Sequence, residues 1–170
     1  MSMLRHLVDK ESDMVTKLTS EQIAKFWPVI KYAVEESVPP IVGGHPDRMN
    51  RMLSAALSWV LEVWVSYQRP DNKFEAIYIT QFLYDDASNT KNLLLYSLYG
   101  YAPIDRQSWI DGGKTMIKYA KENGCNAIIA YTKNDDAVKT AKMFGADLAT
   151  FISVNVEKSV KFINGLGEGK

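Results

Sequence analysis

The chain has 170 residues, 46% hydrophobic and 24% charged, values that suit a globular fold with a full-sized core. Its 20 basic and 20 acidic residues cancel, so no net field draws it to nucleic acid or to an anionic membrane. The single Cys125 excludes an internal disulfide framework, and with the two distant histidines, His6 and His45, it argues against a zinc site; no metal is expected.

The opening "MSMLRHLVDK" lacks the apolar run of a signal peptide. No segment reaches the roughly 18 apolar residues of a membrane span, and the longest candidate, "LSWVLEVWVSY", is interrupted by Glu62. A soluble protein is expected.

In chain order, "DMVTKL" (13–18) predicts a first strand. Thr19 then caps a helix, with Gln22 completing a capping box. Ile23, Phe26, Trp27, Ile30 and Val34 share one face at helical spacing. Pro28 is expected to kink or break this helix, and "VPP" (38–40) to end it. After a Gly-Gly-His-Pro loop (43–46), Asp47 is placed to cap a second helix with an apolar stripe of Met49, Met52, Leu53 and Ala56. Three β-type runs follow, "WVLEVWVSY" (59–67), "KFEAIYITQFLYD" (73–85) and "KNLLLYSLYGY" (91–101). The short turns "QRPDN" and "DASNT" between them make an antiparallel meander.

The period then changes. Residues 105–124 predict a helix capped by Asp105 and stopped at Gly124, with Trp109, Gly113, Met116, Ile117 and Ala120 inward. "CNAIIAYT" (125–132) predicts a short strand, and "NDDAVKTAKMFGAD" (134–147) a helix opened by Asn134 and closed by Gly145. "LATFISVNV" (148–156) alternates and predicts a last strand, followed by a loose Gly-rich tail. A helical crossover of about 20 residues between the third and fourth well-defined strands suits parallel pairing there, so the expected fold class is α/β (α+β), a mixed sheet with helices on both faces.

This element order, with "ENGCNAIIAYTKNDDAVKTAKMFGAD" and the spacing of Asn134, Ala137 and Gly145, resembles the GNAT N-acetyltransferase family. The likeness covers residues 59–156 in topology and about thirty residues in motif. It implies a GNAT-like domain over 1–156 with a C-terminal tail over 157–170. The wording "LLLYSLYGY", "AIIAYTKN" and "AKMFGA" is also similar to bacteriophage-encoded GNAT-like proteins, some of which are virion components.

The resemblance implies three chemical requirements. A glycine-rich turn into the helix after the meander should carry the pyrophosphate of acetyl-CoA on backbone N–H groups. The matching stretch, "PIDRQSWID" (103–111), has no glycine, offers Arg106, Gln107 and Ser108 as cofactor contacts, and places Asp105 and Asp111 nearby. Trp109 falls close to a required glycine. Gly112 and Gly113 read as helix packing or as a displaced phosphate cradle, and "GGKT" is not a P-loop because Ser108 stands where that motif needs glycine. The second requirement is an acid for the departing thiolate, a tyrosine where this chain has Ala141; Tyr96, Tyr99, Tyr101 and Tyr131 are the substitutes. The third is a base for the amine. Glu62 and Glu75 are expected to face solvent, which leaves His45; Cys125 is expected to be a small buried residue. Asn134 has a capping role or, less simply, a cofactor contact.

With these parts missing or replaced, no catalytic residue and no cofactor is assigned. The expectation is a non-catalytic GNAT-fold structural or interaction protein, a pseudoenzyme, phage-encoded and located in the host cytoplasm or virion. Its partners are other proteins, virion components among them, and neither nucleic acid nor membrane. The alternative is an acyl-CoA-dependent N-acyltransferase with an atypical site for acetyl-CoA.

Overall fold

The computed structural model describes residues 15–37, 44–68, 73–132 and 134–167. The elements run β1 (Val15–Lys17), α1 (Ser20–Glu36), α2 (Arg48–Leu57), β2 (Glu62–Gln68), β3 (Lys73–Asp85), β4 (Thr90–Gly100), α3 (Arg106–Glu122), β5 (Ala127–Ala130), α4 (Asp135–Met143) and α5 (Val156–Gly167). The sheet order is β1-β2-β3-β4-β5. The first four strands pair antiparallel, and β4 pairs parallel with β5 across the α3 crossover. Mixed sheet, meander and crossover are as the sequence predicts. The "VPP" stop, Gly43 and most of the "QRPDN" turn lie outside the described residues.

Helix α1 begins with a complete capping box: the Gln22 N–H donates to Thr19 Oγ1 at 3.3 Å, and the Thr19 N–H donates to Gln22 Oε1 at 2.8 Å. Ile23, Phe26, Ile30, Ala33 and Val34 are buried from it. Each large apolar side chain among them stabilises the fold by about 1.5–3 kcal/mol. Pro28 does not interrupt the helix, which runs unbroken from Ser20 to Glu36. Asp47 stands at the start of α2 but does not cap its backbone; its carboxylate accepts from Asn50 Nδ2 at 2.8 Å and pairs with Arg51.

The strand expected from Trp59 starts three residues later, because the α2 terminus takes 58–61. The Trp59 N–H donates to Ala56 O, and the Val60 N–H to Ala55 O, with Trp59 at φ 62°. This is the Schellman ending that a glycine ordinarily provides. α3 and α4 end the same way on Gly124 (φ 69°) and Gly145 (φ 80°).

Two cores lie on the two sheet faces. Val63, Val65, Tyr67, Phe74, Ile77 and Ile79 pack against α1 and α2, and Val15, Trp64, Ala76 and Tyr78 pack with Met116 of α3. The inner face of α3 is Ser108, Gly112, Met116 and Ala120. Met116 and Ala120 are inward as expected, but Ser108 and Gly112 are buried in place of Trp109 and Gly113, and Ile117 is exposed. An ideal Cβ on Gly112 would lie 3.1 Å from Tyr78 Oη, and one on Gly113 2.5 Å from the Phe144 ring. Both glycines serve helix packing rather than a phosphate cradle.

The last predicted strand is absent. Residues 146–155 have no regular structure, and the stretch expected to be a loose tail is helical as α5. Alternation makes a strand only where an edge pairs with it, and among the described residues β5 pairs with β4 alone. No helix among the described residues is long and apolar enough to cross a membrane.

Candidate functional site

The site is set by where β4 and β5 part. Their ladder runs from Asn92–Ala127 to Leu95–Ala130 and stops, while β4 continues to Gly100 on β3 alone. Leu95 pairs with Thr80 and Ser97 with Ile79, so Tyr96 is an extra, bulged residue at the point of divergence. A bulge adds twist and bends its strand, which opens the gap. The Tyr101 N–H donates to Glu75 O on β3. By strand alternation, the backbone groups of Leu98 and Gly100 therefore face away from β3, toward the side β5 has left.

Tyr96 packs on the α1/α2 face. Burial raises its pKa while the nearby Arg48 charge opposes, so its hydroxyl holds its proton. Nε of Arg48 is buried with no hydrogen-bond partner among the described residues. Ser97 is buried, and its hydroxyl is hydrogen-bonded to that of Ser37 at the end of α1. Tyr99 meets the Tyr32 ring edge-on at 5.7 Å, and Tyr101 donates to Val29 O at 3.0 Å, so these two serve packing against α1. Tyr131, just past β5, contacts the Phe151 ring at 5.0 Å. Ala141 is half-buried on α4.

The second part is the start of α3. Asp105 is its N-cap: Oδ1 accepts from the Ser108 N–H at 2.9 Å, and Oδ2 accepts from Ser108 Oγ at 3.1 Å and from Gln68 Nε2 at 3.0 Å. These bonds, the Ser108 N–H first, hold the Asp105 carboxyl below its ordinary pKa. An acidic side chain thus already uses the helix-end donor that an anion would need. Arg106 is exposed and makes no ion pair among the described residues, and Gln107 donates to Asp111 at 2.9 Å. Asn134 lies at a different helix, where its Oδ1 caps α4 by accepting from the Asp136 and Ala137 N–H groups. The four sequence-assigned contacts therefore stand at two helix starts, Arg106, Gln107 and Ser108 at one and Asn134 at the other.

Two expectations are corrected here: Glu62 and Glu75 do not face solvent, being 5% and 3% exposed. Ser66 pairs with Ala76 and Tyr67 with Phe74, so Glu75 is itself a bulged residue that escapes the strand's alternation. It turns under the start of α3, where Ser66 Oγ donates to its Oε2 at 3.4 Å and its Oε1 has no hydrogen-bond partner among the described residues. Burial raises its pKa, the Ser108 hydroxyl opposes, and the Asp105 charge adds to the rise. Glu62 sits at the other end of the same face, in a bonded cluster with Lys17, Tyr119 and Thr80. His45 is exposed, its Nδ1 accepting from the Asp47 N–H at 3.1 Å. Cys125 is half-buried, and burial pushes its thiol pKa up, away from a nucleophile's. Sequence reading missed the placement of Glu75 and Arg48; the bulge that turns Glu75 leaves no signature in residue types.

No family model and no curated protein sequence matches the chain, but solved structures do. A probable acetyltransferase superposes with a TM-score of 0.60 at 14% identity, over 84% of this chain and 95% of its own. An aminoglycoside acetyltransferase from an uncultured soil metagenomic sample, in complex with sisomicin, gives 0.59 at 17% identity over 84% and 94%. A predicted acetyltransferase from Clostridium acetobutylicum, solved with acetyl-CoA, gives 0.58 at 16% identity over 85% and 96%. The chain has the GNAT-like acetyltransferase fold. At such identities the likeness is one of architecture, and function rests on the site.

Proposed function

We propose that this GNAT-like chain is an acyl-CoA-dependent N-acyltransferase with an atypical cofactor corner. The observation that carries the reading is the divergence of β4 from β5 after Leu95–Ala130, with the Tyr96 bulge at its origin. An extended, amide-bearing arm of the donor can pair with the backbone groups of Leu98 and Gly100 that face away from β3, as an added strand does. The thioester supplies the activated acyl group when bound. Around it, Tyr96 is the proton donor we assign in place of Ala141, and its burial keeps the hydroxyl protonated for that task. Arg106, exposed at the start of α3, is the cation we assign to the donor's phosphates. The corner fits those phosphates poorly, because Asp105 already takes the Ser108 N–H. The expected consequence is weak affinity.

That same corner, with Ala141, favours a second reading: a non-catalytic module that binds other proteins, virion components being the class its phage-like wording suggests. Calorimetric titration with acetyl-CoA, succinyl-CoA and free CoA separates the two. Micromolar binding of at least one is expected from the first reading. Silence for all three leaves the second.

A further inference from the structure

Beneath the start of α3 two carboxyl groups compete for one hydroxyl. Ser66 pairs with Ala76 and Tyr67 with Phe74, so Glu75 is the extra residue of a bulge and is buried on the α3 face. Ser108 is buried with it. The Ser108 hydroxyl donates to Asp105 Oδ2 at 3.1 Å and also lies within reach of the Glu75 carboxyl. A serine hydroxyl has a single proton to donate, so it cannot serve both acids at once. The Ser66 hydroxyl reaches Glu75 Oε2 only at 3.4 Å.

Among the described residues around it, Glu75 is the group whose charge is set to change in mildly acidic solution. From α3 comes Asp105, whose bonds to the Ser108 N–H and to Gln68 hold its carboxyl down and therefore ionised. From its own strand comes Tyr78, whose hydroxyl burial pushes up to about 12, which keeps it neutral. β2 brings the Ser66 hydroxyl and the Gln68 amide, and β4 the Tyr101 N–H, which donates to Glu75 O. Arg106 and Lys73 are exposed to solvent. Burial first, and the Asp105 charge after it, push the Glu75 carboxyl above the ordinary glutamate range.

We propose, resting on the acyl-donor reading above, that Glu75 is a proton switch for the cofactor corner. Protonated, it donates to Ser108 and leaves one carboxylate, that of Asp105, facing the donor's pyrophosphate. Ionised, it places a second negative charge beneath the same helix start. In the first state the bonds run in one direction, from Glu75 through Ser108 to Asp105, and each donor has an acceptor. In the second, Ser108 stays with Asp105 and the buried Glu75 charge repels an arriving phosphate. The donor therefore binds more tightly in mildly acidic solution. By linkage, a bound donor also holds the proton on Glu75.

Calorimetry of the full chain with dephospho-CoA tests this. Its pyrophosphate keeps a constant charge over the range used, whereas the terminal phosphate monoester of CoA would titrate within it. From about pH 5 to about pH 8 the wild type is expected to lose about tenfold in affinity, the effect of one unit charge several ångströms from a phosphate. Glu75→Gln keeps the size and the donor of the protonated acid. It should bind at about pH 8 as tightly as the wild type does at about pH 5, with no slope between. Urea unfolding gives a reading free of ligand. The folded state holds the Glu75 proton more tightly, so wild-type stability should fall relative to Glu75→Gln as pH rises. A stability difference that does not change with pH overturns the switch. Equal binding slopes in the two proteins, or wild-type binding that strengthens with pH, overturn it too and leave the donor site standing. Silence of both proteins at every pH removes the donor site itself and the switch with it.

Discussion

Replacing Glu62 with alanine is expected to destabilise the fold by about 2–3 kcal/mol, a large share of a typical domain's stability. The Glu62 side chain is 7% exposed and gathers three donors. Lys17 Nζ reaches Oε1 at 3.1 Å, Tyr119 Oη bonds the same oxygen, and Thr80 Oγ1 donates to Oε2 at 3.1 Å. Thr80 accepts in turn from Trp64 Nε1 at 2.9 Å. Burial and the Glu62 charge raise the Tyr119 pKa, which keeps it a donor.

Removing the carboxylate strands Tyr119 and Thr80. Lys17 is affected less, since its side chain is 34% exposed and keeps the Trp59, Trp64 and Tyr119 rings 5.0–5.5 Å away. A fully buried pair broken on one side costs about 3–5 kcal/mol; the partial exposure of Lys17 lowers that here. Glu62→Gln keeps an acceptor and should lose roughly half as much. Urea unfolding of the three proteins checks this, and an alanine variant within about 0.5 kcal/mol of wild type would refute the cluster's importance.

Asp105→Ser is expected to tighten CoA binding about tenfold at low salt. Serine caps a helix as well as aspartate does, so α3 should still start at Arg106. What is lost is a negative charge at the place where phosphates would approach. At a surface site this repulsion is worth about 1 kcal/mol or more for each phosphate charge within several ångströms. The gain should shrink as salt is added, since exposed charges are screened over about 8–10 Å near physiological ionic strength. Calorimetry at two salt concentrations reads both effects. Weaker binding by the variant would mean that the phosphates lie elsewhere.

Much of the scaffold was legible because local chemistry dictated it. The Thr19–Gln22 box, the Asp105 cap and the Asn134 cap mark helix starts, and Gly124 and Gly145 mark ends. The run from Lys73 to Asp85 is a strand at both predicted limits. Trp59 shows the limit of such rules. It fills the left-handed position that the other two endings give to glycine, and a β-rich composition hides that turn.

The site was less legible because bulges made it. Inserting Glu75 and Tyr96 re-aims one carboxylate inward and bends β4 away from β5, and neither effect follows from hydrophobic period. The absence of glycine over 103–111 was readable, and the structure adds that Asp105 occupies the helix-end donor there. Residues 148–156 carry a strand's pattern without a strand's partner, which no single-chain reading distinguishes from a paired strand.

Amide exchange along β4, with and without CoA, asks most directly whether the gap beside β5 receives an acyl donor. Saturating CoA should slow exchange at Leu98 and Gly100, whose N–H groups face that gap, and leave Tyr99, bonded toward β3, unchanged. Unchanged rates at Leu98 and Gly100, even with CoA bound elsewhere on the protein, would contradict an acyl-donor site between these strands.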